Sequence, residues 1–357
     1  MKHFRQNIWQ ENEYLYEAAY GFQPNLRAYL HEDDTVRKCM LVVPGGGYCM
    51  CTPHEGELPA MEFYRQGMNV FVLTYTTDIT MSVPLRRQPM EDLSRAVRLI
   101  RKCASEYRID PGKLLLCGFS AGSHLSACLC THFEDIVDPD PQYQEISNRP
   151  EGAILGYPVI TSGEYAHIYS IQALVGKNAS EAELEYFSLE KQVKENTPPC
   201  FLWQTLDDNL VPVENSYLFA DALRAKKIPH AHYVFPTGFH GLSVANFEMF
   251  SGWCGGGYTC EQLNLALEHI KDNTAVNVSE ERRAELMEQF FSPKRDESPE
   301  LDAGPKNSIP PEERGKMLGE DLSCWDELPA DHSKDPNPFA DVHHWIQLAQ
   351  IWYERFL

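Results

Sequence analysis

The sequence predicts an α/β protein in which a mostly parallel central sheet is covered by helices on both faces. Short, near-continuous apolar runs recur along the chain, and segments with helical spacing of apolar residues lie between them. Strands buried on both faces of a parallel sheet have this continuous apolar character, whereas strands with one exposed face alternate apolar and polar residues. Glycine-rich and polar motifs directly follow several of the runs, so the chemistry is expected at strand ends.

Six apolar runs are predicted as strands, and most are separated by helices. The strands are residues 38–43, 69–75, 113–119, 152–157, 200–204 and 231–235. The longer helices are residues 55–66, 88–107, 121–133 and 213–227. Pro111 and Gly112 predict a turn before the third strand. Residues 158–199 follow a strand end, a position from which a segment can cap a site, and contain a weak helix over 180–187.

The chain is predicted to have three parts. Residues 1–253 carry the alternation of strands and helices, residues 254–340 form an acidic, proline-rich insertion, and residues 341–357 return to helical apolar spacing as a final core helix. Between residues 261 and 340 there are 19 acidic and 9 basic side chains, which supply nearly half of the net charge of −21.

The insertion has two interpretations. Helices are predicted over residues 260–270 and 279–291, but other stretches have the composition of solvated loops. Trp253, Tyr258 and Trp325 lie in or beside it, and aromatic residues are uncommon in pure disorder. The insertion is therefore either a solvated excursion or a lid or rim whose aromatic residues pack toward the site.

Composition argues against several classes of protein. The 357 residues include 52 acidic and 31 basic side chains, which disfavours nucleic acid and anionic membranes as partners. The chain start lacks the pattern of a secretory signal, and the apolar stretches are too short to span a bilayer. The eleven cysteines are scattered and several lie in apolar runs, which predicts reduced thiols in a cytoplasmic protein. Their spacings do not match a zinc site, so neither a metal nor an organic cofactor is expected.

The strongest motif is the G-x-S-x-G sequence of residues 118–122. It follows an apolar strand and precedes a helix, the setting in which a serine is lifted above a sheet on a tight turn. Gly118 and Gly122 flank the turn, where a Cβ atom would clash with the neighbouring strand or helix. Ser120 is therefore the candidate nucleophile, with the positive end of the following helix behind it.

A second motif, Pro44 followed by three glycines and Tyr48, ends an earlier strand. Glycines let the backbone approach a substrate closely, so the N–H groups of Gly46 and Gly47, with that of Ala121, are candidates for an oxyanion hole. No Gly-Lys-Ser/Thr follows, which excludes a P-loop, and no dinucleotide-binding fingerprint is present in the right setting.

A serine nucleophile needs a base and an acid that orients the base. On an elbow of this kind the acid and then the histidine follow the serine along the chain. His240 lies between glycine-containing turns just after the last predicted strand and is favoured by position over the other histidines. Asp207 and Asp208 adjoin each other after the preceding strand, and only one of them can face the histidine.

Four motifs in this order resemble the acetylxylan-esterase and feruloyl-esterase-like branch of the α/β-hydrolases, a relative of the hormone-sensitive-lipase group. They are VVPGGGY (42–48), GFSAGSHL (118–125), TLDDNLVPVENS (205–216) and GFHGLS (238–243). The resemblance covers about residues 27–244 and the last helix around Trp345.

This resemblance implies an α/β-hydrolase fold with Ser120 as nucleophile and His240 as base. The acid of the family stands three residues before the Val-Pro step, which selects Asp208. Two residues depart from the family pattern: Pro44 stands where lipase-type relatives have histidine, and Ser123 stands where a third elbow glycine is usual. The long insertion after His240 is also not part of the common pattern.

The expected function is that of a serine esterase acting on a small-molecule ester. The resemblance implies a short acyl group, acetyl first, on a carbohydrate or a similar alcohol. Tyr48, Tyr157 and Phe239 are candidate substrate contacts beside the three loops. The alternatives are a serine peptidase of the same fold and a non-catalytic hydrolase-like binding protein. The sequence does not indicate an oligomeric state.

Overall fold

A computed structural model describes residues 1–250, 255–292, 337 and 339–356 of the chain. Within them, eight strands form one sheet in the order β1-β2-β4-β3-β5-β6-β7-β8. The strands are β1 (Lys2–Asn7), β2 (Asn25–Leu30), β3 (Arg37–Val43), β4 (Asn69–Thr74), β5 (Ile109–Phe119), β6 (Gly152–Gly156), β7 (Cys200–Thr205) and β8 (His230–Phe235).

The helices of the described residues lie mostly between the strands. They are α1 (Glu57–Arg65), α2 (Gln88–Lys102), α3 (Ala121–His132), α4 (Pro141–Gln144), α5 (Ile168–Val175), α6 (Glu181–Tyr186), α7 (Glu214–Ala225), α8 (Phe247–Phe250), α9 (Glu261–Lys271), α10 (Glu280–Phe291), α11 (Ala340–His343) and α12 (Trp345–Phe356). None of these helices is long and apolar enough to cross a membrane.

The predicted fold class is confirmed. Strands β3 to β8 pair in parallel and correspond to the six apolar runs, whereas β1 and β2 pair antiparallel at one edge. The two antiparallel strands were not predicted from the sequence, because neither is a continuous apolar run. Strand β1 alternates in exposure at the sheet edge, and β2 buries Asn25 and Arg27 among its apolar residues.

The turn predicted at Pro111 and Gly112 is wrong, because both residues lie within β5. Arg37 of β3 pairs with Ile109 of β5, and Cys39 pairs with Leu114. Two residues of β3 therefore correspond to five residues of β5. The extra residues therefore form an irregularity inside the strand rather than a turn before it.

The sheet lies between two apolar layers. Helices α2, α3 and α7 cover one face through buried side chains such as Val97, Leu125 and Phe219. Helices α1 and α12 cover the other face, where Phe63 and Trp345 are completely buried. The final helix predicted from the sequence thus packs on the core.

Residues 255–292 form a smaller apolar cluster with the loop that follows β4. Helices α9 and α10 pack around Ile79, and Gln262 Oε1 accepts the backbone N–H of Thr77 at 2.7 Å. Tyr258 stacks on the guanidinium of Arg27, with 4.7 Å from that group to the ring centre. Trp253, Trp325 and most of the predicted insertion lie outside the described residues.

Candidate active site

The four sequence motifs meet at one edge of the sheet. The loops after β3, β5, β7 and β8 carry the triple glycine, Ser120, the two aspartates and His240, respectively. Because these strands run parallel, their carboxyl ends open on the same edge, where α/β proteins bind ligands. Residues far apart in sequence therefore lie close together at this edge.

Ser120 lies on a strained turn between β5 and α3. Its φ is +52° and its ψ is −119°, a backbone conformation that residues other than glycine rarely adopt. A Cβ at Gly118 would lie 2.4 Å from the carbonyl oxygen of Gly122, and a Cβ at Gly122 would lie 2.1 Å from that of Val43. Both flanking glycines are therefore required for the close packing of strand, turn and helix.

Ser120, His240 and Asp208 form one hydrogen-bonded chain. Ser120 Oγ lies 2.8 Å from His240 Nε2, and His240 Nδ1 lies 2.8 Å from Asp208 Oδ2. A carboxylate can only accept, so Nδ1 carries the proton and Nε2 is left to accept from the serine hydroxyl. The other oxygen of Asp208 accepts the N–H groups of Leu210 and Val211, each at 2.9 Å, and its side chain is fully buried.

Asp207 has a different partner. Its Oδ1 accepts the backbone N–H of Gly238 at 2.6 Å, and the hydroxyl of Thr205 donates to the carbonyl of the same glycine at 2.7 Å. Asp207 therefore fastens the start of the His240 loop to the loop after β7.

Hydrogen bonds within the glycine loop orient the backbone N–H groups of Gly46 and Gly47. Each bond is made to the carbonyl of the same peptide group. The carbonyl of Gly45 accepts the N–H of Thr52 at 3.0 Å, and the carbonyl of Gly46 accepts those of Cys49 and Met50 at 3.0 and 3.2 Å. Since the C=O and N–H of a trans peptide point in opposite directions, these bonds fix the planes that carry the N–H groups of Gly46 and Gly47.

Three backbone N–H groups remain open at this point of the site. The N–H groups of Gly46, Gly47 and Ala121 have no acceptor within the part of the chain that the structure describes. Carbonyls bonded in this way polarise the adjoining N–H groups, which makes them better donors to a developing oxyanion.

A cavity of about 520 Å³ lies over Ser120. Its lining includes Ser120 and His240 themselves, and also these residues: Gly46, Gly47, Cys49, Thr52, His54, Glu55, His167, Tyr169, Leu210, Phe239 and Gly241. Residues 158–199 follow a strand end from which a segment can cap a site, and His167 and Tyr169 of this segment line the cavity. Among the described residues, the insertion contributes nothing to this lining.

Of the three aromatic residues expected to contact substrate, Phe239 lines the cavity, whereas Tyr48 and Tyr157 do not. Tyr48 is completely buried, and its hydroxyl lies 2.8 Å from Nδ1 of His124 on α3. Tyr157 is also buried and packs edge-on against the His240 ring, with 4.9 Å between ring centres. Both lie behind the loops rather than in the cavity, because their large side chains complete the core.

Several lining residues were not predicted from the sequence, notably His54, Glu55 and His167. Glu55 falls at the start of a predicted helix, where an acidic residue is ordinary and gives no functional signal. Burial lowers the pKa of His54, and it lowers the pKa of His167 to about 4. Both rings are therefore neutral at pH 7. Within the described residues, no group of three His, Cys, Asp or Glu side chains is arranged to bind a metal ion.

Comparison with known proteins identifies the family of the chain. The family model described as BD-FAE matches residues 28–223. The chain belongs to the BD-FAE family. That stretch contains the glycine loop, the serine elbow and the aspartate loop, but not His240, which follows it.

Three relatives illustrate the similarity. Endo-1,4-beta-xylanase B of Butyrivibrio fibrisolvens is 69% identical over 266 residues, which cover 74% of this chain and 42% of that protein. The acetylxylan esterase of Xylanibacter ruminicola is 30% identical over 59% of this chain and 42% of its own length. The crystal structure of an acetyl ester-xyloside bifunctional hydrolase from Caldicellulosiruptor lactoaceticus is 38% identical, with a TM-score of 0.64 over 68% of this chain and 89% of that one.

The chain spans less than half the length of the two curated relatives named here. Their names differ, one being a xylanase and the other an esterase.

Proposed function

We propose that the chain is a serine carboxylic ester hydrolase that removes short acyl groups, acetyl first, from a carbohydrate or a similar alcohol. The observation that carries the proposal is the unbroken hydrogen-bonded chain from Asp208 through His240 to Ser120, next to three open backbone N–H groups. A nucleophile, its base and an oxyanion site are the parts that acyl transfer needs.

In the proposed reaction, His240 Nε2 takes the Ser120 hydroxyl proton as Ser120 Oγ bonds to the ester carbonyl carbon. The carbonyl oxygen becomes an oxyanion, held by the N–H groups of Gly46, Gly47 and Ala121. Collapse of this intermediate breaks the bond to the alcohol, which leaves with the proton from His240. Water, deprotonated by His240, then attacks the acyl-enzyme to give a second tetrahedral intermediate. As this intermediate collapses, the bond to Ser120 Oγ breaks, His240 returns the proton to Oγ, and the acid is released.

The substrate class is supported by the cavity and by the relatives. Among the described residues, the cavity lining contains no lysine or arginine, so these residues offer no cation to hold an anionic group. Its mouth carries Tyr169 and Leu210, which are 60% and 51% exposed and suit the apolar face of a neutral ring. Proteins similar to this chain are named for acetylxylan and for acetyl esters.

The experiment combines a covalent probe with a substrate panel. A fluorophosphonate is expected to label wild type at Ser120 and to leave Ser120→Ala unlabelled, and turnover in that variant is expected to fall by about 10⁴-fold or more. The panel compares p-nitrophenyl acetate, butyrate and octanoate, acetylated xylo-oligosaccharides, and a peptide p-nitroanilide. Labelling elsewhere, or faster cleavage of the anilide than of every ester, would contradict the proposal.

A further inference from the structure

Glu55 is a buried carboxylate whose two oxygens bind different parts of the site. It ends the short turn Pro53–Glu55 and is 3% exposed. Gly45 is the first residue of the glycine loop, and Oε2 accepts its backbone N–H at 2.8 Å. Oε1 accepts the hydroxyl of Tyr157 at 2.6 Å.

Tyr157 continues this connection to the His240 loop. Its hydroxyl oxygen accepts the backbone N–H of Ser243 at 3.0 Å, three residues beyond His240. Its ring lies edge-on against His240, so the same side chain limits the imidazole orientation and the path of the backbone after it. The indole N–H of Trp345 donates to the Ser243 carbonyl at 2.8 Å, which anchors this point to the core.

His54, the neighbour of Glu55, adds two bonds to the same loop. Its ring Nε2 lies 3.1 Å from the carbonyl of Gly241, and its own carbonyl accepts the Ser243 hydroxyl at 2.7 Å. A carbonyl can only accept, so the ring proton is on Nε2. We call Gly45, His54, Glu55, Tyr157 and Ser243 the bracket.

We infer that Glu55 is a positioning residue of the proposed reaction: its carboxylate joins the glycine loop to the His240 loop across the bracket. The N–H groups that hold the oxyanion and the imidazole that takes the proton come from these two loops, and both must meet Ser120 at once. This inference rests on the proposed function, because it concerns how two parts of that reaction are aligned.

The chemistry of the side chain explains why a carboxylate suits this position. Both partners of Glu55 donate, and a carboxylate offers two acceptor oxygens, whereas an amide must turn a donor NH₂ toward one of them. Charge alone predicts the opposite outcome, since a buried anion beside the cavity opposes the negative charge of the oxyanion. Glu55→Gln therefore separates the two effects: alignment predicts slower turnover, and charge alone predicts faster turnover.

The test uses the full chain and counts active sites by fluorophosphonate titration, so that loss of folded protein does not appear as loss of kcat. For Glu55→Gln, kcat is expected to fall about 10- to 100-fold, the scale of a small misplacement of reacting groups. The affinity for an alkyl boronic acid, which forms a tetrahedral adduct with the serine, is expected to fall by a similar factor. KM is expected to change less than kcat.

Glu57→Gln is the matched control. Glu57 is completely buried, and its partners include the hydroxyl of Tyr29 and the backbone N–H of Gly256, the latter at 2.6 Å. These partners lie outside the bracket and outside the cavity lining. Thermal stability is expected to fall in this variant, while kcat per active site stays within about twofold of wild type.

Tyr157→Phe independently tests whether the connection through Glu55 aligns the two loops. It keeps the ring against His240 and removes the hydroxyl that joins Glu55 to Ser243. The double variant with Glu55→Gln is expected to lose little more kcat than the worse single variant, because both break one connection. Unchanged or faster turnover per site in Glu55→Gln, or fully additive losses, would overturn the inference. Failure of Ser120 labelling in wild type would instead overturn the proposed function.

Discussion

Asp208 Oδ2 lies 2.8 Å from His240 Nδ1, while its neighbour Asp207 points Oδ1 at the Gly238 N–H, 2.6 Å away. The two neighbouring side chains face different directions in the turn after β7, so only one of the two carboxylates reaches the imidazole. The other binds the backbone that carries the imidazole.

Asp208→Asn is expected to lower kcat about 10³- to 10⁴-fold. An amide at this position can turn its NH₂ toward Nδ1, which favours the tautomer with the proton on Nε2 and leaves no acceptor for the serine proton. Asp207→Asn keeps an oxygen acceptor for Gly238 and is expected to cost less than about tenfold. Steady-state kinetics on p-nitrophenyl acetate give the ranking, and the reverse order would assign the acid to Asp207.

That the loops carrying Ser120 and His240 lie at one edge of the sheet can be predicted from the sequence alone. Each loop follows a strand that its apolar residues identify. Ser120 and His240 stand at the ends of such runs, and parallel pairing brings those ends to one edge. Asp208 required the family resemblance, because nothing in the local sequence distinguishes it from Asp207.

Residues whose role depends on long-range packing could not be predicted in this way. Glu55 lies in a turn before a helix, and only the fold brings it against Tyr157. Tyr48 ends the glycine motif and Tyr157 ends a predicted strand, but the side chains of both turn into the core. Strand β1 has no apolar run of its own and is stabilised by pairing with β2.

Gly46→Ala is expected to reduce kcat about 10²-fold or more. The φ of Gly46 is +116°, and a Cβ there would lie 2.3 Å from the Met50 carbonyl oxygen, so the loop must shift. The shift moves the N–H groups proposed to hold the oxyanion, and loss of one such donor typically costs 10²- to 10³-fold.

Gly67→Ala is the control for that change. The φ of Gly67 is +86°, and no atom lies within 4 Å of an added Cβ, so this variant introduces backbone strain without a clash. Stability is expected to fall by about 1 kcal/mol, with kcat unchanged. Equal kcat losses in both glycine variants would mean that strain alone, not displacement of the loop, slows the reaction.

His124→Gln is expected to make stability less dependent on pH. Burial lowers the pKa of His124 from 6.5 to about 4, while its ring lies between the Tyr48 hydroxyl and the Phe187 carbonyl. Between pH 6.5 and pH 4 the unfolded chain binds a proton that the folded chain does not, so the free energy of unfolding falls as pH falls.

This histidine alone should lower the free energy of unfolding by about 2 kcal/mol between pH 7 and pH 5. Urea unfolding of both proteins at both pH values measures the effect. Although His124→Gln is expected to be less stable at pH 7, its deficit should shrink at pH 5. Parallel pH dependence in the two proteins would show that protonation of His124 does not contribute.

Tyr169→Ala is expected to change substrate selectivity without changing the chemical step. Tyr169 lies at the cavity mouth on the first turn of α5 and is 60% exposed, so its ring is free to cover one face of a sugar. Loss of that contact should raise KM for acetylated xylo-oligosaccharides several-fold, while kcat/KM for p-nitrophenyl acetate stays close to wild type.

Tyr217→Ala is the control: it removes an exposed tyrosine that does not line the cavity, and it should leave the kinetics of both substrates unchanged. A parallel change for both substrates in Tyr169→Ala would indicate that the ring supports the catalytic loops rather than the alcohol part of the ester.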